Sequence, residues 1–490
     1  MTGEAEHFEV AIVGTGFAGI GAAIRLKKAG IEDIVLLERA DDLGGTWRDN
    51  HYPGLCCDIP SHVYSFSFAL NKHWTRGFAP GWEIQAYLRH TAAQYAVTPK
   101  IRFSHEVLDA SWDPKARLWR IHTSGDRFTS KFLVSAAGAL SEPRTPDLPG
   151  LDRFQGKVFH SAHWDHDHDL AGERVAVVGT GASAIQFVPA IQPEVDRLDL
   201  YQRTPAWVIP RLDHQITGAE HFLLRWIPGS EALVRGALYW VLESRVVGFR
   251  RPPLMKVAER VARRHLNRQV SDRELRRKLT PDYTIGCKRI LISDDYYPAL
   301  DEPNVDVVTD GIAEIRERSI VSGDGSEREI DTIILGTGFH VTDPPIAERL
   351  RGRDGRTLAE HWTGGSMQAY LGTTISGFPN LFFLVGPNTG LGHNSMVFMV
   401  ESQLKYVVDC LRTLRDHGAE TVEVRREVED AYNDWLQDHM RGTVWTAGHC
   451  QSWYLDEHGR NTTLWPSYSW SFRRRTRRFD PESYVLEPSS

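Results

Sequence analysis

Two glycine-rich segments carry residue types that could hold phosphate. The first is Gly14-x-Gly16-x-x-Gly19. In such a pattern the first glycine permits a tight turn, the second lets backbone approach a pyrophosphate, and the third lets helix and strand pack closely. A helix starting there offers unpaired N–H groups and a partial positive charge to the phosphates. Glu38 follows about 20 residues on, where a carboxylate can bind ribose hydroxyls. The second segment, Gly179-Thr180-Gly181-Ala182-Ser183-Ala184, repeats the design with alanine in third place and leads to Gln202-Arg203-Thr204 instead of an acid. A carboxylate there would repel a 2′-phosphate, whereas an arginine can pair with it. The first segment suits FAD and the second NADPH. Two dinucleotide sites in one chain imply hydride transfer from one cofactor to the other.

Regular elements must hold these turns. Phe8 to Val13 is an apolar run of the kind a buried parallel strand shows, followed by a helix pattern that ends at Gly30 and a second strand at Ile34–Leu37. Arg174–Val178, a helix and Leu198–Tyr201 repeat the unit. A proline-punctuated connector, Ser141 to Pro146, lies between them. Residues 215–280, rich in Arg and Leu at helical spacing, read as an insertion. Their mixed charges favour a lid or packing subdomain over an amphipathic membrane contact. The expected fold is α/β, with two Rossmann-like dinucleotide-binding domains and a helical insertion. The FAD-binding domain would take residues 1–143 and 339–490. The NADP-binding domain would take 144–214 and 281–338, around the insertion.

Composition narrows the class. The 490 residues allow about three domains. With 41% hydrophobic and 25% charged residues, the chain reads as an ordinary globular protein. A net charge of −7 gives no electrostatic reason to expect nucleic acid. Arg473-Arg474-Arg475 with Arg477-Arg478 reads as a solvated face beside Asp480 and Glu482. The start, with Glu4 and Glu6, lacks a signal-peptide pattern, and no window reaches the roughly 18 apolar residues of a membrane span. The five cysteines are scattered (Cys56, Cys57, Cys287, Cys410, Cys450), which fits a reducing compartment and a cytoplasmic location. Cys56 and Cys57 are adjacent, so the spaced pair of a disulfide reductase is missing.

What the reduced flavin does is indicated by Phe154-x-Gly156-x-x-x-His160-x-x-x-Trp164-Asp165, just before the second unit. It resembles the fingerprint of Baeyer–Villiger monooxygenases, FAD- and NADPH-dependent class B flavoproteins, at every defining position. The resemblance runs from about Val10 to Arg473. Flavin-containing monooxygenases that oxidise nitrogen and sulfur usually carry another aromatic in place of Trp164, and remain the alternative.

The resemblance implies the rest of the site. Gly44 to Trp47 with Asn50–Gly54 and Asp58 looks like the flavin-contacting loop, placing Gly45, Thr46, Trp47, Asp58 and Tyr64 with Gly14, Gly16, Gly19 and Glu38 at FAD. Gly179, Gly181, Ser183, Gln186, Arg203, Thr204, Lys288 and Trp453 would serve NADPH. Gly286-Cys287-Lys288-Arg289 resembles the segment supplying the active-site arginine, so Arg289, held by Asp58, would be catalytic. Ala136-Ala137-Gly138 and Gly336 to Phe339 resemble the two interdomain linkers. A structural or hinge role suits His160 and its motif. The implied reaction has NADPH reduce FAD, and a flavin peroxide then insert one oxygen atom of O2 into a ketone to give an ester or lactone, with sulfoxidation as a side activity. The expected partners are a small-molecule ketone and O2, in a monomer or small homo-oligomer. No metal, nucleic acid or membrane span is expected. His51, Gly386–His393 and Tyr454-Leu455-Asp456 depart from the best-known cyclic-ketone enzymes and look closer to members acting on linear or aryl ketones.

Overall fold

The computed structural model describes residues 5–488; Met1 to Glu4, part of the expected N-terminal start, and the final two serines lie outside them. The first sheet is centred on Glu6–Val13, parallel to Ile34–Leu37 on one side and to Arg127–Ser135 on the other. Val10, Ala11 and Ile12 are fully buried, as a strand covered on both faces requires. Val107–Asp113 and Leu118–Thr123 extend the sheet antiparallel from Arg127–Ser135. Ile101–Arg102 lies parallel beside Ile34–Leu37, and the C-terminal part of the chain supplies two further strands. Leu381–Phe383 pairs with Arg127–Ser135, and Leu350–Arg351 with Val107–Asp113.

Helix Phe17–Lys28 packs under this sheet and against helix Met396–Asp416, which buries Val397, Val400, Leu404 and Val407. Gly21 sets that approach: a Cβ there would lie 2.9 Å from the Phe66 ring and 3.0 Å from Leu404. Residues far apart in sequence thus share one core.

The second sheet is wholly parallel, in the order Val305–Val308, Arg197–Tyr201, Arg174–Val178, Thr332–Leu335, Lys157–His160. A three-stranded antiparallel sheet, Ile312–Ile315, Ser319–Ser322 and Glu327–Glu329, sits between its last two chain segments and was not expected. The 215–280 region is helical: Gly218–Trp226, Ser230–Ser244, Val246–Arg250, Lys256–Gln269 and Arg273–Lys278. Thr217 and Glu220 close a capping box at its start, a motif generally worth about 1 kcal/mol.

Two linkers join the halves side by side. Pro143 and Phe339 form an antiparallel bridge, Arg144 N donates to Gly338 O (2.8 Å), and His340 N donates to Glu142 O (3.0 Å).

One reading of the sequence is corrected and one is refined. Cys287 and Cys450 form a disulfide across 163 residues, which removes the cysteine-based ground for a reducing compartment; Cys56, Cys57 and Cys410 are free thiols. The basic run near 473 is mostly exposed, at Arg474, Arg475, Arg477 and Arg478, and two of its arginines also lie over aromatic rings. The Arg473 guanidinium lies 3.6 Å from the centroid of the Phe398 ring and that of Arg475 lies 3.8 Å from Trp435, both attractive cation–π arrangements.

Candidate functional site

One cavity of about 1520 Å³ takes its walls from the loops of both sheets. Its first wall is the turn after Glu6–Val13. Gly14 has φ 96°, and a Cβ there would sit 2.8 Å from the Ala136 carbonyl oxygen. At Gly19 a Cβ would lie 1.9 Å from the Gly14 oxygen, so no side chain fits. Gly16 and Gly45 approach almost as closely, with 3.1 Å between a Gly45 Cβ and the Gly16 Cα. No side chain caps helix Phe17–Lys28 at Gly16, which leaves its first N–H groups turned toward the cavity end.

Glu38 is buried at the end of its strand. Its Oε2 accepts from Thr15 N (3.0 Å) and Thr15 Oγ1 (2.6 Å), and its Oε1 pairs with Arg48 Nη1 (2.7 Å) and accepts from Ala40 N (3.1 Å). Thr15 and Arg48 were not anticipated from sequence; no motif marks them. Thr46 and Trp47 start the short helix Thr46–Asp49, and Trp47 Nε1 donates to Tyr64 OH (3.1 Å). Burial pushes the Tyr64 phenol upward in pKa, keeping it neutral. Thr15, Glu38, Thr46, Trp47, Arg48 and Tyr64 line the cavity.

The second wall is the turn after Arg174–Val178. Gly179 has φ 113°, and a Cβ would stand 2.4 Å from Gly336 O. Around Gly181 a Cβ would meet nothing within 4 Å, which leaves open space beside the backbone. Ser183 lines the cavity ahead of helix Ala184–Ile191 and makes no side-chain cap bond. Gln186 is spent on the opposite wall: Nε2 donates to Cys56 O (3.1 Å), while Oε1 accepts from Cys56 N (3.2 Å) and Tyr52 OH (3.1 Å). It clamps the two loops together. Arg203, Thr204 and Lys288 meet in a side chamber of about 170 Å³ with Tyr283 and His449–Gln451. Burial, and then the neighbouring Arg203, lower the Lys288 pKa; its Nζ lies 5.1 Å from the Tyr283 ring centroid.

Asp58 and Arg289 meet between the walls. Arg289 Nε and Nη2 both donate to Asp58 Oδ2, at 2.8 and 2.5 Å. The Asp58 carboxylate drives the Arg289 pKa above its ordinary value, so the guanidinium stays cationic at any working pH. Both side chains keep roughly a quarter to a third of their surface accessible (25% and 31%), and both line the cavity. Trp453 also lines it, 43% exposed, with its ring 4.4 Å from that of buried Tyr454. Burial pushes the Tyr454 phenol up to about 12 against the opposing pull of Arg289. The Cys287–Cys450 disulfide ties the segment carrying Lys288 and Arg289 to the segment carrying Trp453.

The Phe154–Asp165 motif stands apart from the cavity lining. Gly156 packs where a Cβ would be 2.2 Å from Asp331 O. His160 is buried at the end of Lys157–His160, accepts from Ala162 N through Nδ1 (3.0 Å), and faces the Phe339 ring at 5.9 Å. Burial and His163 lower its pKa to about 4. Trp164 is core, edge-on to Phe159 and tilted against Phe187, and Asp165 pairs with Lys157. Of the segments that depart from cyclic-ketone enzymes, Gly386, Pro387, Thr389, Gly390, Leu391 and Leu455 line the cavity. His51 instead bonds His166 (2.8 Å), and His393 is buried against Glu243 (3.1 Å). Glu243 also accepts from Asn394 and Ser469, fixing the helical insertion to the C-terminal part of the chain.

Two glycine cradles facing one cavity, each at a strand-to-helix turn of its own sheet, define an oxidoreductase fold with two Rossmann-type dinucleotide-binding domains. The family described as pyridine nucleotide-disulphide oxidoreductase matches residues 11–211. A Baeyer–Villiger monooxygenase of Streptomyces coelicolor is 54% identical over 99% of this chain and 94% of its own length. One of Pseudomonas aeruginosa is 52% identical over 98% and 92%. Among solved structures, a cyclohexanone monooxygenase from Rhodococcus bound to NADP+ superposes with a TM-score of 0.88 at 27% identity, covering 99% of this chain and 100% of the other. A steroid monooxygenase bound to NADP gives 0.87 at 29%, with the same coverage. The chain belongs to the Baeyer–Villiger monooxygenase family.

Proposed function

We propose that the protein converts ketones to esters or lactones with FAD, NADPH and O2, and that the observation carrying this reading is the Arg289–Asp58 pair inside the cavity that both glycine cradles face. The cradles fit the cofactors: a Cβ would fill the space at Gly14 and Gly19, and Gly181 stands open. Gly14, Gly16, Gly19, Gly45, Thr46, Trp47, Tyr64 and Glu38 would hold FAD. Glu38 reaches a ribose hydroxyl once the rotatable Thr15 hydroxyl yields its place. Gly179, Gly181 and Ser183 would receive the NADPH pyrophosphate, Arg203, Thr204 and Lys288 its 2′-phosphate, and Trp453 its nicotinamide end, while Gln186 positions the loops. FAD supplies electron storage and dioxygen activation, and NADPH supplies the hydride.

The chain's own groups do the rest. Asp58 fixes the Arg289 guanidinium in one orientation, and Arg289 donates to the ketone oxygen as negative charge develops there. Losing one such preorganised donor costs about 3–4 kcal/mol. Trp453 and the disulfide-tethered segment close the cavity against water. His160 and Trp164 act on the linkers and the second core. Residues 1–143 and 339–490 would form the FAD-binding domain, 144–214 and 281–338 the NADP-binding domain, and the enzyme would work in the cytoplasm as a monomer or small homo-oligomer. The lining residues Gly386, Pro387, Thr389, Gly390 and Leu391, which depart from the cyclic-ketone enzymes, support linear or aryl ketones as substrates. The test is product analysis with cyclic, linear and aryl ketones beside a tertiary amine. Esters or lactones are expected; an N-oxide without any ester would overturn the reading.

A further inference from the structure

The helical insertion is built inside out. On helix Ser230–Ser244 the polar groups turn inward: Glu231 and Glu243 are buried, and Arg235 donates to His62 O (2.9 Å), Ser65 Oγ (3.1 Å) and Ser65 O (3.0 Å). The outward face, Leu233, Ala237, Trp240 and Val241 at i, i+4, i+7 and i+8, is apolar, with exposures of 75% at Leu233, 61% at Trp240 and 60% at Val241. The preceding helix Gly218–Trp226 touches it and exposes Phe222 (60%) and Trp226 (64%). Helix Lys256–Gln269 adds Val257 at 62% and Val261 at 48%. An ordinary surface helix of a globular protein turns such a stripe toward the core.

Charge separates the candidate occupants. Residues 215–280 hold fourteen Lys and Arg against six Asp and Glu, in a chain whose net charge is −7. Between 218 and 269 each acidic side chain is buried or half-buried, while Arg225, Arg250, Arg251, Lys256, Arg260 and Arg264 are exposed. The residues that the insertion offers to solvent between 218 and 269 are therefore largely apolar and basic. Two copies meeting through it would oppose like charges, whereas a bilayer with anionic headgroups supplies both the apolar boundary and the counter-charge. No described helix is long and apolar enough to cross a membrane, so the contact is peripheral.

We propose that helices Gly218–Trp226, Ser230–Ser244 and Lys256–Gln269 dock the enzyme on an anionic phospholipid surface, with Trp226 and Trp240 entering the headgroup boundary. The full-length holoenzyme is sedimented with vesicles of phosphatidylcholine alone and of phosphatidylcholine mixed with phosphatidylglycerol. Binding to the mixed vesicles is expected, weakened by salt and reduced roughly tenfold or more in the double variant Trp226→Ser, Trp240→Ser. Flavin reduction by NADPH should be unchanged in that variant, which shows that it has folded. Absence of binding to mixed vesicles, equal binding to both vesicle types, or undiminished binding of the variant would overturn the proposal. So would light scattering that finds a dimer which the two substitutions dissociate, since the face would then belong to a second copy.

Discussion

The guanidinium of Arg289 is forked onto a single oxygen of Asp58, bringing together two residues 231 positions apart in the chain. Because the pair sits on the cavity wall, removing the arginine should not prevent the hydride step. Arg289→Ala is expected to be reduced by NADPH at close to the normal rate, while ester formation falls by roughly 10²–10³. Stopped-flow reduction and product yield separate the two; a normal ester yield refutes the role.

Coenzyme choice should follow from the side chamber. Arg203→Ala and Lys288→Ala are each expected to raise KM for NADPH about tenfold or more while leaving NADH kinetics nearly unchanged. Lys288 has its pKa lowered by burial and by Arg203. The charge is lost as pH rises through that depressed value, so KM for NADPH should climb on the alkaline side earlier than an ordinary lysine dictates. A pH profile of KM with both coenzymes decides it.

His160 predicts an acid weakness. Its folded pKa of about 4 lies below the unfolded value near 6.5, so the unfolded state binds the proton more tightly. The associated stability is present above about pH 6.5 and is lost as pH falls toward 4, on the order of 3 kcal/mol. Urea unfolding of wild type and His160→Gln between these limits should show a shallower pH dependence for the variant.

The disulfide is chemically countable. The denatured, unreduced protein should titrate three thiols and the reduced protein five. Cys450→Ser should cost about 2–4 kcal/mol of stability. It should also raise KM for NADPH, because Trp453 and Lys288 lose their shared anchor. Five thiols without reductant would rule the bridge out.

Gly19→Ala should yield protein without flavin, since its Cβ would fall 1.9 Å from the Gly14 oxygen. The ratio of flavin to protein absorbance reads this directly.

Much of the frame was legible in the chain. Buried parallel strands are apolar at most positions, and glycines that cannot carry a Cβ mark the two turns, so Val10–Val13, Gly14 and Gly19 disclose themselves. Long-range partners do not. Asp58 and Arg289 were linked only through the family's pattern, and nothing in a separation of 163 residues announces that Cys287 and Cys450 meet. Nor could Arg48 be matched to Glu38, which depends on how one loop folds back. The insertion shows a subtler limit. Helical spacing reveals that Leu233, Trp240 and Val241 share a stripe, but periodicity is blind to which side of a helix the protein occupies. Its mixed charges point to a lid or packing element, and sequence alone does not show that between 218 and 269 the acids are buried or half-buried while most of the bases are exposed, Arg235 turning inward.

The paired linkers restrict any movement of one sheet against the other. Gly138 and Gly338 hold left-handed backbone angles of 76° and 85° with nothing within 4 Å of a would-be Cβ, and Pro143 is bridged to Phe339 beside them. A body tethered by a single thread can swivel in any direction. One carried on two hydrogen-bonded threads has its twist suppressed and folds along their common line, as a door turns on a piano hinge. Any opening along that line would retrace the last, and the pieces of the site on either side would return to the same register.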